Sequence, residues 1–375
     1  MTRFMTEPLR VAAIGRTGRG DWGHAIDELW TGMDAARIVA VADESAEGLA
    51  KAVERHGLPA SAGYRDWQAM LAEVKPDVVA ICMRHIDCHA EVAVAAAQAG
   101  AKGIFVEKPF VRTLLEADAV IDACRQSGTK LQMAYVNRHS PAYAATRDLI
   151  EEGRIGKVLE IRCRGKEDAR GGGEDLWVLG CHVLDLMVDL GGAPQWCQAT
   201  VTLGGRPITK ADAVEGPEGL GLIAGDAVSA MFGLADGPIG SFASVREAGL
   251  KQPNFGLTVA GTKGAVHIRP DQVPQAYLRE APLWRVDKDF PWKPIGTEGL
   301  DAAPPAADVD RAAERAGWGR RAAADLVDAI AEDRQPETGM YAGRTVLEMT
   351  TAIYRSALGG GRVNWPVASA GSPLA

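Results

Sequence analysis

The sequence predicts a parallel-sheet α/β domain followed by an α+β domain with an open, mainly antiparallel sheet. Three observations carry that expectation. The first third of the 375 residues alternates short β-rich runs with helical patterns, the sign of βαβ units. A dense run of glycines, Gly15 to Gly23, comes after the first β-rich run. Beyond about residue 140, β-rich runs succeed one another across short turns, which implies antiparallel pairing.

In order, Arg10–Ile14 reads as the first strand, closed by Gly15, and Arg37–Ala42 as the second. Asp77–Cys82 comes after Pro76, which stops the preceding helix. Ile104–Val106 and Lys130–Tyr135 complete the first series. Amphipathic helices are expected over 46–56, 88–99 and 114–127, the last stopped by Gly128. In the second part, strands are expected over 157–164, 196–203, 227–232, 239–245 and 255–260. Gly261-Thr262-Lys263-Gly264 makes a hairpin into Ala265–Ile268. A Pro- and Ala-rich surface connection over 281–310 and helices over 311–333 and 341–357 close the chain, and no internal repeat is found.

With 47% hydrophobic and 24% charged residues the chain can bury a large core, and its length suggests two domains. A net charge of −8 without a basic block argues against nucleic acid as a partner. Residues 1–10 lack the apolar run of a secretory signal, and no apolar stretch is long enough to span a bilayer. The six cysteines form no C-x-x-C pair, so neither a disulfide framework nor a zinc knuckle is indicated, and a cytoplasmic protein is expected. His85, Asp87 and His89 lie close in sequence, but their spacing defines no closed ligand set; no metal is expected.

The run Gly15-Arg16-Thr17-Gly18-Arg19-Gly20-Asp21-Trp22-Gly23-His24 has the composition of a loop that wraps a pyrophosphate. Glycines permit the tight turn and close backbone approach, and the free N–H groups of a succeeding helix favour the phosphates. Gly15 and Gly20 fit the outer places of G-x-G-x-x-G, with Thr17 in the middle place and Gly18 one later; Gly18, Gly20 and Gly23 offer a second register. Asp43 ends the second strand, where an acid accepts hydrogen bonds from the adenosine ribose and repels a 2′-phosphate. The expectation is a Rossmann domain over 1–136 that binds NAD in preference to NADP, with a substrate-binding and oligomerisation domain over 137–375.

Glu107-Lys108-Pro109, directly after a β-rich run, resembles the E-K-P motif of the Gfo/Idh/MocA oxidoreductases. The resemblance extends to Tyr64-Arg65-Asp66-Trp67, His89-Ala90-Glu91, Arg138 with Pro141 and Tyr143, Ile155-Gly156-Lys157-Val158, and two stretches near the C-terminus, 325–330 and 356–363. It implies a nicotinamide-dependent enzyme in which Lys108 hydrogen-bonds the substrate oxygen and stabilises the charge developing there, with Glu107 close by. It also implies cofactor contacts from His89, Glu107 and Lys108, substrate contacts from Glu107, Arg138 and Asp185, and a homodimer or homotetramer; Asp175, near His182 in sequence, is a further candidate for substrate contact.

Gly180-Cys181-His182-Val183-Leu184-Asp185 resembles the end of the family's D-x-G-x-H-x-x-D segment. His182 and Asp185, three apart, share one helical face, and a neutral His182 could take the hydroxyl proton. Aligned on His182, the chain places Val178 where the family has its first Asp, and Glu174 and Asp175 fall about two turns from His182 on a continuous helix. The charged stretch Arg164 to Asp175 reads either as a flexible clamp on sugar hydroxyls or as a solvated loop.

The expected function is NAD-dependent oxidation or reduction at a secondary carbinol of a sugar, glycoside or cyclic polyol. Absence of the Asp at Val178 keeps a second possibility open: transient oxidation with retained NAD, leading to elimination, epimerisation or glycoside cleavage. A third, a cofactor-binding regulator without catalysis, is opposed by the presence of both Lys108 and His182.

Overall fold

A computed structural model of the chain describes residues 7–249, 255–270, 272–300 and 309–375. Part of the connection expected over 281–310, residues 301–308, lies outside the described residues. Two compact units emerge. The first runs to Val136 and takes in Pro217–Gly221 and Gly319–Arg344; the second comprises Asn137–Gly216, Leu222–Trp318 and Thr345–Ala375. Two stretches distant in sequence thus join the first unit, which a single boundary after residue 136 does not provide for.

The first unit is built on β1 (Leu9–Ile14), β2 (Ala36–Ala42), β3 (Gly63–Tyr64), β4 (Val78–Ile81), β5 (Gly103–Val106) and β6 (Lys130–Met133). They form one parallel sheet in the order β3-β2-β1-β4-β5-β6. Helices α1 (Ala46–Arg55), α2 (Trp67–Val74), α3 (His89–Gln98) and α4 (Leu114–Ser127) lie between the strands. Ser45, Asp66 and Thr113 cap α1, α2 and α4 with their side-chain oxygens, and Gly128 ends α4 in the left-handed region. Strands β1, β4 and β5 are buried almost throughout, as parallel strands covered on both faces must be.

Strand register decides which residues meet at the sheet edge. Ile14 pairs with Ala42 and Ile81, and Ile81 with Val106, so these strands end level. Gly15, Asp43, Cys82 and Glu107 therefore leave the sheet together at its C-terminal edge, where doubly wound sheets bind their ligands.

The second unit contributes α5 (Pro141–Glu151), β7 (Val158–Arg164), α6 (Gly173–Val178), α7 (Gly180–Gly191), β8 (Pro194–Leu203) and the short strands β9 (Arg206–Pro207), β10 (Val214–Glu215) and β11 (Leu222–Ile223). Next come β12 (Ala227–Leu234), β13 (Ile239–Val245), β14 (Gly256–Gly261), β15 (Ala265–Ile268), β16 (Ala276–Arg279) and β17 (Lys293–Ile295). Helices α8 (Arg311–Glu332) and α9 (Met340–Gly359) and strand β18 (Val363–Asn364) close the chain. The main sheet runs β17-β16-β15-β14-β7-β13-β12-β8-β18, with β9 on β8. Only the β7–β13 pairing is parallel, so the sheet is mixed but mostly antiparallel.

Alternation along these strands sorts the two faces: Ile161, Cys163, Val228, Phe232 and Phe242 are buried, and α7, apolar nearly all round, packs against β7 and β13. Among the described residues no helix is long and apolar enough to cross a membrane.

Candidate active site

The glycine loop departs from its expected form. No α-helix succeeds it; residues 16–25 turn repeatedly and reach only a five-residue 3₁₀ helix, Ile26–Trp30. The cause is local: Gly18, Gly20, Asp21, Gly23 and Ala25 all have positive φ, from 49° to 86°, which no right-handed helix accommodates.

Side chains from the neighbouring strand ends hold this loop instead. The Asp43 carboxylate, 2% exposed, accepts from Thr17 Oγ1 at 2.6 Å, Thr17 N at 3.1 and 3.2 Å, Trp22 Nε1 at 3.0 Å and Ser45 N at 2.9 Å. The Trp22 ring covers Gly15 so closely that any side chain there would run into it, and the Arg55 guanidinium lies 5.1 Å from the Trp22 ring centroid. Thus Gly15 and Thr17 take part in a protein-built bracket, while Gly18, with no atom within 4 Å of where a Cβ would stand, faces open space. Beside the bracket lies a cleft of about 270 Å³ lined by Ile14, Arg16, Asp43, Glu44, Arg65 and Met83 among others.

This surface fits a dinucleotide: carboxylates and guanidiniums suited to ribose and phosphate face a cleft whose apolar wall suits an adenine. Gly18 would bring backbone to the pyrophosphate, while Gly20 packs against the backbone of Arg84 and His85. A dinucleotide bound with its adenosine there would supply, through its nicotinamide, the hydride acceptor or donor.

Glu107 and Lys108 come directly after β5. Glu107 is buried and accepts from Lys108 N at 2.7 Å and His24 N at 3.0 Å, and its carboxylate also touches His24 Nδ1. Burial pushes this carboxyl up, but the charge and hydrogen bond of His24, joined by Lys108, outweigh it and hold Glu107 down at about 2. Glu107 is therefore a fixed carboxylate at neutral pH and moves no proton. Lys108 itself is 4% exposed.

His89 takes a supporting place: fully buried, it sets Nδ1 against the carbonyls of Pro109 and Phe110 at 3.1 and 3.0 Å and Nε2 against that of Met83 at 2.7 Å. Both ring nitrogens are engaged by backbone, so His89 ties the turn after Lys108 to the end of β4 in place of the direct cofactor contact expected from the sequence.

In the second unit His182 and Asp185 lie one turn apart on α7, both buried. Arg138 donates to Asp185 at 3.3 Å and to Asp189 at 2.5 Å, and Tyr143 donates to Asp189 at 2.5 Å. The two expected substrate contacts, Arg138 and Asp185, thus pair with each other and tie the start of this unit to α7.

The segment from Asp175 to His182 is not one continuous helix. Helix α6 ends at Val178, Leu179 adopts φ −117°, and α7 starts at Gly180, which sits against the Phe242 ring and the Asp175 carbonyl. Asp175 and His182 therefore lie on different helices, separated by the single residue Leu179. Val178 is buried and apolar.

Asp175 is wholly buried; its Oδ2 accepts from Ser244 Oγ at 2.6 Å and Glu167 N at 3.2 Å, while Oδ1 has no partner among the described residues. Burial raises this carboxyl above its usual range against the hydrogen bond from Ser244. The charged stretch before it is half-exposed and braced by its own ion pairs and by close backbone packing. Arg164 pairs with Glu167 at 2.5 Å and Arg170 with Asp168 at 2.6 Å, and side chains at Gly171, Gly172 or Gly173 would strike the backbone of Arg246, Asp226 or Ala224.

Trp22, His24, Glu44 and Ser244 carry no signal in sequence spacing, since each is defined by a partner or a cleft formed only on folding. Among the described residues no group of three or more His, Cys, Asp or Glu could hold a metal ion.

Comparison with known proteins fits this architecture. Residues 9–135 match the family described as "Oxidoreductase family, NAD-binding Rossmann fold", and residues 143–267 match the "GFO/IDH/MocA C-terminal domain". The chain belongs to the Gfo/Idh/MocA family of NAD-binding oxidoreductases. Levoglucosan dehydrogenase of Pseudarthrobacter phenanthrenivorans is 29% identical over 269 residues, 64% of this chain and 67% of that protein. The NAD(+)-dependent scyllo-inositol 2-dehydrogenase of Bacillus subtilis is 32% identical over 158 residues, 41% of this chain but only 44% of the relative. The structure of a levoglucosan dehydrogenase in complex with NADH and levoglucosan is similar over 96% of this chain and 100% of that one, with a TM-score of 0.74 and 25% identity.

Proposed function

We propose that this protein is an NAD-dependent dehydrogenase acting on a secondary hydroxyl or ketone of a sugar, glycoside or cyclic polyol. The observation that carries the reading is the Glu107–Lys108 element, held by His24 and His89 at the strand edge that carries the glycine loop. An ionised Glu107 places a fixed negative charge beside Lys108. The Lys108 ammonium then orients the substrate oxygen and stabilises the negative charge that grows there. His182 takes the hydroxyl proton in oxidation and returns it in reduction. Relatives named for levoglucosan and inositols give the substrate class.

A panel of sugars, levoglucosan and inositols among them, incubated with NAD tests this reading through the absorbance of reduced nicotinamide. Growth with at least one member is expected; none with any member counts against net redox turnover.

The buried Val178 favours a second reading, transient oxidation with retained NAD and no net redox change, because a valine cannot share proton work with His182. On that reading free inositols and aldoses are poor substrates. Val178→Asp should raise their oxidation while lowering the melting temperature, since the new carboxylate enters a buried helix end. Rapid oxidation of free inositol by the parent protein would defeat it.

A further inference from the structure

Resting on the NAD-binding reading above, we propose that Glu44, one residue beyond the strand-end acid, sets the preference for NAD over NADP, and that Asp43 is a positioning residue for the glycine loop. An ionised carboxylate has about four lone-pair sites. Asp43 fills them from within the protein, with the Thr17 amide, the Thr17 hydroxyl, the Trp22 indole and the Ser45 amide. Those contacts are what shape residues 16–25 in the absence of a helix.

Glu44 is placed differently. Its side chain is 58% exposed, lines the cleft beside the loop, and among the described residues has one partner, Arg16 Nε at 2.7 Å. Arg65, from the strand-end turn after β3, lines the same cleft and has no hydrogen bond or ion pair among the described residues. The other charged side chains there are Asp43, Asp66 and Glu91. Asp66 accepts from Gln68 N at the start of α2.

A 2′-phosphate brings a charge of about −1.5 to −2, which Glu44 repels and for which it competes at Arg16. With Glu44 gone, Arg65 and Arg16, whose remaining ion pair is the longer one to Asp87 at 3.8 Å, present two guanidiniums to the cleft, the group best matched to phosphate. With Glu44 present, the carboxylate oxygen that Arg16 does not engage can accept from ribose hydroxyls. The acid that discriminates is thus the one left accessible by the loop bracket.

Calorimetric titration of NAD and NADP into the full-length parent, Glu44→Ala and Asp43→Asn, with melting temperatures measured alongside, tests the assignment. Glu44→Ala should fold normally and shift the ratio of the two dissociation constants toward NADP by about tenfold, an electrostatic gain that shrinks at high salt. Asp43→Asn should lower the melting temperature and weaken both cofactors alike, leaving the ratio within about twofold. An unchanged ratio in folded Glu44→Ala overturns the proposal whatever Asp43→Asn does, as does a larger ratio shift in Asp43→Asn. If the parent binds neither cofactor, the dehydrogenase reading itself falls; if it binds NAD but the ratio ignores Glu44, only the present assignment does.

Discussion

Two buried carboxylates, one in each unit, titrate in opposite directions. Glu107 and Asp175 are both withdrawn from solvent, and burial pushes each carboxyl up. Glu107 nevertheless drops to about 2, because its partners include the charge of His24 and of Lys108. Asp175 stays high, because the groups that reach it, the Ser244 hydroxyl and backbone amides, carry no net charge. Depth alone does not decide ionisation; the charge of the donors does. The two acids accordingly suit different work: Glu107 supplies a permanent negative charge beside Lys108, and Asp175 organises the turn between β7 and α6.

The largest effect expected on this contrast comes from removing the cation that Glu107 faces. Lys108→Met keeps most of the buried volume and should cost roughly 10²- to 10⁴-fold in kcat/KM for any sugar the parent turns over, with NAD binding retained. Because Lys108 is buried, Lys108→Ala should in addition lower the melting temperature, which a solvent-facing lysine would not. Turnover of Lys108→Met within a few-fold of the parent would remove this residue from the chemistry.

Next comes Glu107→Gln. A carboxyl whose folded value lies below its unfolded one contributes stability that is complete above the unfolded value and lost as pH falls toward the folded one. For Glu107 that window runs from the ordinary 4.5 down to about 2. The difference corresponds to about 3 kcal/mol, so the parent should lose that much between neutrality and strong acid. In urea titrations Glu107→Gln should be the less stable protein at pH 7, and the gap should close on acidification. A gap independent of pH would mean that Glu107 acts through packing alone.

Partners that exist only in the folded chain also limit how far the sequence can be read. The parallel strands are legible because Val11–Ile14, Val78–Ile81 and Ile104–Val106 are continuous apolar runs that only a doubly covered sheet can use. The two-residue β3 is not, since pairing with β2 and not composition defines it. The motif predicts a helix after the glycine loop; Asp21 and Ala25 in left-handed geometry exclude it, and neither residue type announces that conformation. Nor does Leu179 announce a helix break. Lys108 and His182 enter the proposed site through family resemblance, whereas His24 against Glu107, Ser244 against Asp175 and Arg138 against Asp189 join residues 83, 69 and 51 positions apart, beyond the reach of local spacing.

The smallest effect sharpens the comparison from the other side. A carboxyl raised above its unfolded value binds its proton more tightly in the folded protein. Its contribution to stability is therefore full below the ordinary 3.8 and lost as pH rises through the raised value. Asp175→Asn abolishes that loss while keeping an oxygen to accept from Ser244 Oγ and Glu167 N. At pH 7 the substitution should thus change stability by less than about 1 kcal/mol, whereas near pH 3 the parent should be the more favoured of the two. Ser244→Ala is the control: it removes a donor from Asp175 and an acceptor from Gly172 N, and should cost about 1–3 kcal/mol at neutral pH. If Asp175→Asn proves as damaging at pH 7 as Ser244→Ala, then the Asp175 charge stabilises the fold instead of opposing it, and the opposition between the two acids disappears.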